Sequence, residues 1–140
     1  MADSVTSSSS AMSVAVSALR AQEARMRVIA ENLANADSTS KTPGGDPYRR
    51  QVPIFEPHTV AGGAEGVRMS RVQPDRTPFK SEYDPGNPSA DTNGYVKMPN
   101  VDPLIEALDM REAQRAYEAS LNVIEASRDM QARTLDLLKK

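Results

Sequence analysis

At 140 residues the chain holds about one domain's worth of sequence, with 39% hydrophobic residues, only 4% aromatics and no Trp, a stock of Ala, Val, Leu, Ile and Met that suits thin helix–helix seams better than a thick core. The net charge of −2, from 17 basic and 19 acidic residues with no Lys/Arg run longer than two, gives no electrostatic reason to bind nucleic acid or an anionic membrane. The absence of Cys excludes disulfides and thiolate metal sites.

The first segment, Met1 to Ser10, is Ser-rich and lacks a basic region followed by an apolar run, so it does not read as a secretory signal of the usual kind. No stretch approaches the ~20 apolar residues of a transmembrane helix. The expectation is a chain that stays in the cytosol or leaves it by a route needing no cleaved signal. All ten Pro and all seven Gly fall between Pro43 and Pro103. Pro costs ~3 kcal/mol and Gly ~1 kcal/mol inside a helix. Their confinement divides the chain into a helical arm over 1–42, a β/extended centre over 43–103 and a second helical arm over 104–140, the two arms together forming one domain.

The N-terminal arm carries a heptad-like stripe, Met12, Ala15, Leu19, Gln22, Met26, Ile29 and Leu33. Glu23, Arg27 and Glu31 succeed one another at i, i+4 on another face. Ser9 or Ser10 can cap the start and the helix should end near Asn35 to Asp37, giving a length of roughly 37 Å. In the centre, Tyr48 to Phe55 and Val67 to Val72 have β-type composition, with Pro53 placing the first on an edge. Ala61 to Gly66 reads as a flexible loop. Asp84-Pro85-Gly86-Asn87-Pro88 and Asn93-Gly94 are turn signals.

The C-terminal arm has Asp102 as N-cap, Pro103 at the first helical position and Glu106 near the positive end of the dipole. A stripe follows at Tyr117, Leu121, Ile124, Arg128, Gln131, Leu135 and Leu138, with Asp129–Arg133 and Asp136–Lys140 as i, i+4 pairs, on a helix about 50 Å long. Neither helix can bury a narrow stripe alone. The expected fold is therefore mainly α: long N- and C-terminal helices forming an antiparallel coiled-coil-like hairpin, with a small β/extended central insertion. Gln22, Arg128 and Gln131 interrupt the seams, either to fix register or at the stripe's edge.

Chemistry-bearing constellations are missing from this pattern. The single histidine, His58, sits between Pro57 and Thr59 in a loop-like context, and a catalytic His needs an orienting carboxylate and a nucleophile whose geometry Glu56, close only in sequence, does not establish. Asp84, Asp91 and Asp102 form no EF-hand loop, and Gly62-Gly63 lacks a phosphate-loop continuation. Met12, Met26, Met110 and Met130 read as seam filling. No enzymatic activity, cofactor or metal is expected.

Two segments remain conspicuous without catalytic logic: Ala30-Glu31-Asn32-Leu33-Ala34-Asn35-Ala36-Asp37-Ser38, and Met110-Arg111-Glu112-Ala113-Gln114-Arg115-Ala116-Tyr117-Glu118-Ala119-Ser120. Their pairing resembles the flagellar axial family of rod, hook and hook-associated proteins, and the run from Asp84 to Asp102 resembles its proximal-rod branch. The resemblance spans nearly the whole chain; the Ser-rich leader, Thr6 to Ser10, and the loop from Pro57 to Gly66 depart from the pattern.

It implies a structural subunit of the proximal rod, part of a drive shaft transmitting torque to hook and filament, exported through the flagellar type III apparatus without a cleaved signal peptide and assembled in the periplasm. The implied partners are copies of itself and other rod subunits: other proximal rod proteins, the protein at the junction of rod and export gate, and the distal rod protein. Nucleic acid and direct membrane insertion are not implied. Asn32, Leu33 and Asn35 would help end the first helix. Gly94, Tyr95, Pro99 and Asn100 would shape the segment entering the second. Gln114, Arg115 and Tyr117 would lie at contacts of the C-terminal helix; Leu19 and Met26 on the first helix and Leu121, Ile124 and Leu135 on the second join them as the assembly residues of the two stripes. A generic coiled-coil adapter or secretion-associated protein would explain the arms but not the run between them.

Overall fold

The computed structural model describes residues 2–140, in the order helix α1 (Ala2–Ala34), strands β1 (Gln51–Thr59), β2 (Glu65–Pro74), β3 (Lys80–Tyr83) and β4 (Tyr95–Met98), and helix α2 (Pro103–Leu138). The Pro/Gly-free arms are the helices and the centre holds the strands, so the mainly α expectation with a small central β insertion holds. α1 starts at Ala2 rather than at Ser9 or Ser10 and runs about 50 Å. Ser is only modestly worse than Ala in a helix, below ~0.7 kcal/mol per residue. Here the Ser13 hydroxyl donates to the Ser9 carbonyl at 3.0 Å, while Val5, Ser8 and Ser9 border one cavity with Met130, Thr134 and Leu138.

α2 starts as expected. Asp102 Oδ1 accepts from the Leu104 and Ile105 N–H groups at 3.0 and 3.4 Å, and Pro103 opens the helix. β1 and β2 form a two-stranded sheet, β1 starting and ending later than the composition predicted and β2 extending beyond the expected run at both ends, so the expected loop shrinks to a tight turn in which Val60 N–H donates to the Ala64 carbonyl at 2.9 Å. His58 accordingly lies on a strand, not in a loop. β3 and β4 pair antiparallel, with Lys80 opposite Met98 and Tyr83 opposite Tyr95.

The chain forms two compact units. Among the described residues, one comprises 2–26, 54–71 and 111–140; the other comprises 27–53 and 72–110. Within the first, the deeply buried residues Ala15, Ala21, Ala113 and Ser127 are all small. Gly66 lets the hairpin approach α1 closely: a Cβ there would stand 2.4 Å from the Ser17 hydroxyl, which accepts the Val67 N–H at 3.2 Å. Within the second, Val28, Ile29, Val96, Pro99 and Val101 form a bulkier core. Gly94 adopts φ +83°, and a Cβ on it would stand 2.9 Å from the Tyr83 ring.

Candidate assembly surface

The second unit is organised by a buried polar node. Asn32, 1% exposed, acts as a surrogate strand for β1: its Oδ1 accepts the Gln51 N–H at 2.9 Å and its Nδ2 donates to the Gln51 carbonyl at 2.9 Å. The Tyr48 hydroxyl donates to the same Oδ1 at 2.8 Å, and Nδ2 also reaches Glu106 Oε2 at 3.4 Å. Glu106, in the first turn of α2, is likewise 1% exposed. Arg50 Nε donates to Glu106 Oε1, its Nη1 lies 3.2 Å from Asp75 Oδ2 and its Nη2 3.8 Å from Asp109. A buried carboxylate survives only with such a partner.

Asn100 completes the node. Its Oδ1 accepts the Arg50 N–H at 2.7 Å and its Nδ2 donates to the Asp75 and Thr77 carbonyls at 3.0 and 3.1 Å. Arg49 reaches the same two carbonyls and stacks 4.1 Å from the centre of the Phe79 ring. The Thr77 N–H, then the Thr77 hydroxyl and Arg50, hold the Asp75 carboxyl below its ordinary range. Burial opposes the Arg50 charge, but Glu106 and Asp75 outweigh it and keep the guanidinium above its ordinary value. Burial, and after it Glu31 and Glu106, push the Tyr48 phenol up.

The first unit is organised differently. Along 111–138 the residues shielded from solvent are Ala113, Ala116, Tyr117, Ser120, Ile124, Ser127, Gln131 and Thr134, a heptad face of mostly small side chains. The Ser120 and Thr134 hydroxyls donate to carbonyls four residues back, at 3.0 and 2.8 Å, so they need no partner across the seam. The apolar stripe expected from sequence is therefore rotated: Tyr117, Ile124 and Gln131 are covered, but Leu121, Arg128, Leu135 and Leu138 are not. Small side chains allow close approach and leave the leucines outside. Two further heptad faces stand exposed. One runs through Gln114, Glu118, Leu121, Glu125, Arg128, Ala132 and Leu135; the other through Ala119, Val123, Ala126, Met130, Arg133 and Leu137, the last 74% exposed. Asp129–Arg133 and Asp136–Lys140 do not come within ion-pair distance among the described residues.

The expected site residues are dispersed. Leu19, Met26 and Leu33 are half-buried on α1, as is the whole stripe to which they belong where it is not fully buried. Asn35 Nδ2 donates to the Glu31 carbonyl at 2.9 Å at the helix end. Asn32 and Asn100 join the node, Pro99 is fully buried, and Gly94 and Tyr95 flank the β3–β4 turn, where the Tyr95 and Tyr83 rings meet edge to face at 5.3 Å. Gln114, Arg115, Leu121 and Leu135 are exposed; Tyr117 and Ile124 are half-buried. The sequence marks none of Arg50, Asp75, Tyr48 and Glu106 as a site residue; Glu106 reads there only as favouring the helix dipole and Tyr48 only as part of a β-type run. Their one local signal is that Arg49-Arg50 is the lone basic pair before the C-terminal lysines.

The arrangement offers surfaces rather than chemistry. Glu56, the carboxylate nearest His58 in sequence, is engaged by Arg68 at 2.7 Å, and no cluster suited to a metal exists among the described residues. A family model described as Flagella basal body rod protein matches residues 12–40, and one described as Flagellar basal body rod FlgEFG protein C-terminal matches residues 92–137. The chain is similar to the flagellar basal-body rod protein FlgC of Agrobacterium fabrum, 53% identical over 94% of this chain and 95% of that protein. It is also similar to the FlgC proteins of Salmonella typhimurium, 45% identical over 89% and 92%, and of Borreliella burgdorferi, 40% identical over 93% and 97%.

Proposed function

The chain belongs to the flagellar basal-body rod protein family, and from that membership we propose that it forms part of the proximal rod and transmits torque from motor to hook and filament. It is a structural subunit of the basal-body rod and not an enzyme. The observation that carries the torque reading is the division of α2: one small-residue face is covered within the first unit, while two heptad faces bearing Leu121, Leu135, Val123, Met130 and Leu137 stand in solvent. A helix with apolar side chains on three sides belongs in a packed array, not alone in water.

The arms, 1–42 and 104–140, pair as an antiparallel coiled-coil-like hairpin about the central segment and act as one assembly domain. In support, Arg25 of α1 stands 3.6 Å from Glu112 near the start of α2, while Val5 and Ser8 lie beside Thr134 and Leu138 near its end. Gln114, Arg115, Leu121 and Leu135 then meet neighbouring subunits: copies of this chain, other proximal rod proteins, the protein joining rod to export gate, and the distal rod protein. The subunit reaches the periplasm through the flagellar type III export apparatus without a cleaved signal peptide. No helix among the described residues is long and apolar enough to cross a membrane, in keeping with a subunit that does not insert in one.

Deleting the gene is expected to abolish hook and filament while leaving the inner-membrane ring, as seen by electron microscopy of basal bodies. A deletion strain that still swims normally overturns the proposal.

A further inference from the structure

Within the first unit, α1 and the β1–β2 hairpin border an open groove of about 700 Å³. Its floor is apolar, formed by Met12, Val16, Ala21, Val60, Val67 and Met69. Its rim carries Arg20, His58 and Arg68; Arg20 is exposed, while Arg68 already pairs with Glu56. Such a groove fits a helix face that carries an apolar side chain between two carboxylates. The chain displays one: Glu118, Leu121 and Glu125 lie at i, i+3 and i+7 on the exposed face of α2. The two carboxylates are about 10 Å apart along the helix. Neither forms an ion pair among the described residues, although Arg111 and Arg128 share that face.

We propose that the groove of one copy seats the Glu118–Leu121–Glu125 face of a second copy's α2. Leu121 enters the apolar floor, and the carboxylates meet Arg20 and His58. Charge complementarity selects this face over the second exposed one, whose sole charged residue is the cation Arg133. The contact joins two different surfaces of the same chain, so it propagates head to tail instead of closing a dimer. It rests on the rod reading and supplies that reading with its copy-to-copy interface.

The chain has no Cys, so introduced thiols report contact without background. Two differently tagged full-length copies, one Val16→Cys and the other Leu121→Cys, are co-expressed in flagellated cells, and isolated basal bodies are oxidised. A mixed disulfide dimer is expected, since a disulfide forms only when the two Cα atoms approach within about 7 Å. Val16→Cys paired with Asn122→Cys, one residue around the helix, is expected to give none. Adding Glu118→Arg and Glu125→Arg to the Leu121→Cys copy should lower the mixed dimer about tenfold, with partial rescue by Arg20→Glu in the other copy. If both copies are present in basal bodies but form no mixed dimer, or cross-link only to a different rod subunit, the groove assignment falls and the rod reading stands. If neither copy is found in basal bodies, the rod reading falls and takes the assignment with it.

Discussion

The two units stabilise themselves in opposite ways. The second ties the end of α1, the start of β1, the segment after β2 and the start of α2 to one another through Asn32, Arg50, Asp75, Asn100 and Glu106. Its polar groups are satisfied inside the subunit. The first buries Ala15, Ala21, Ala113 and Ser127 and leaves Leu121, Leu135 and Leu137 in water. Burial of apolar surface is worth about 25 cal/mol per Å², and the deepest side chains of the first unit are too small to collect much of it. Both units leave large apolar side chains in water, the second at Leu104, Ile105 and Leu108; what sets the second apart is a buried polar node satisfied inside the subunit.

The largest effect that would break this comparison sits in the node. Replacing Arg50 with Met leaves Glu106 buried without its cation, and loss of roughly 3–5 kcal/mol in urea unfolding is expected for the second unit. Leu135→Ala, by contrast, should change monomer stability by less than about 0.5 kcal/mol while impairing motility. Equal effects of the two substitutions on the monomer would erase the distinction. Asn32→Leu strands the Gln51 N–H and carbonyl and should cost about 1–3 kcal/mol. Gly94→Ala places a side chain in the left-handed region against Tyr83 and should cost about 1–2 kcal/mol by the same measurement.

A smaller effect concerns pH. The folded-state pKa of Asp75 lies below its ordinary value of 3.8. Its contribution is therefore fully present above that value and is lost as the pH falls through the lower folded one. The stability of the second unit, followed by urea unfolding between pH 7 and pH 2, should fall in that acid window. Asp75→Asn should flatten the dependence there, and an unchanged profile would exclude Asp75 as its source.

Much of the fold was legible. Confinement of Pro and Gly to 43–103 marked the two helical arms, and Asp102-Pro103 marked the start of α2 to the residue. The family was legible in the runs around Asn32 and Gln114 and from Asp84 to Asp102. The α1 stripe from Met12 to Leu33 was legible because α1 is shielded along it. The seam of α2 was not, because a search for apolar spacing finds the leucines, whereas close helix packing selects Ala113, Ser120 and Ser127. The Ser-rich start of α1 was misread because capping signals are local and Ser is only modestly unfavourable in a helix. The node was invisible for the same reason: Arg50 and Glu106 are 56 residues apart, Asn32 and Glu106 74, and no local period relates them.

Amide exchange of the dilute monomer tests the central claim most directly. Fast exchange over residues 2–26 and 111–138, with strong protection over 27–34, the β3–β4 pair and 103–110, is the expected result, and the arms should become protected on assembly. Arms as strongly protected as the second unit in a dilute monomer would contradict it.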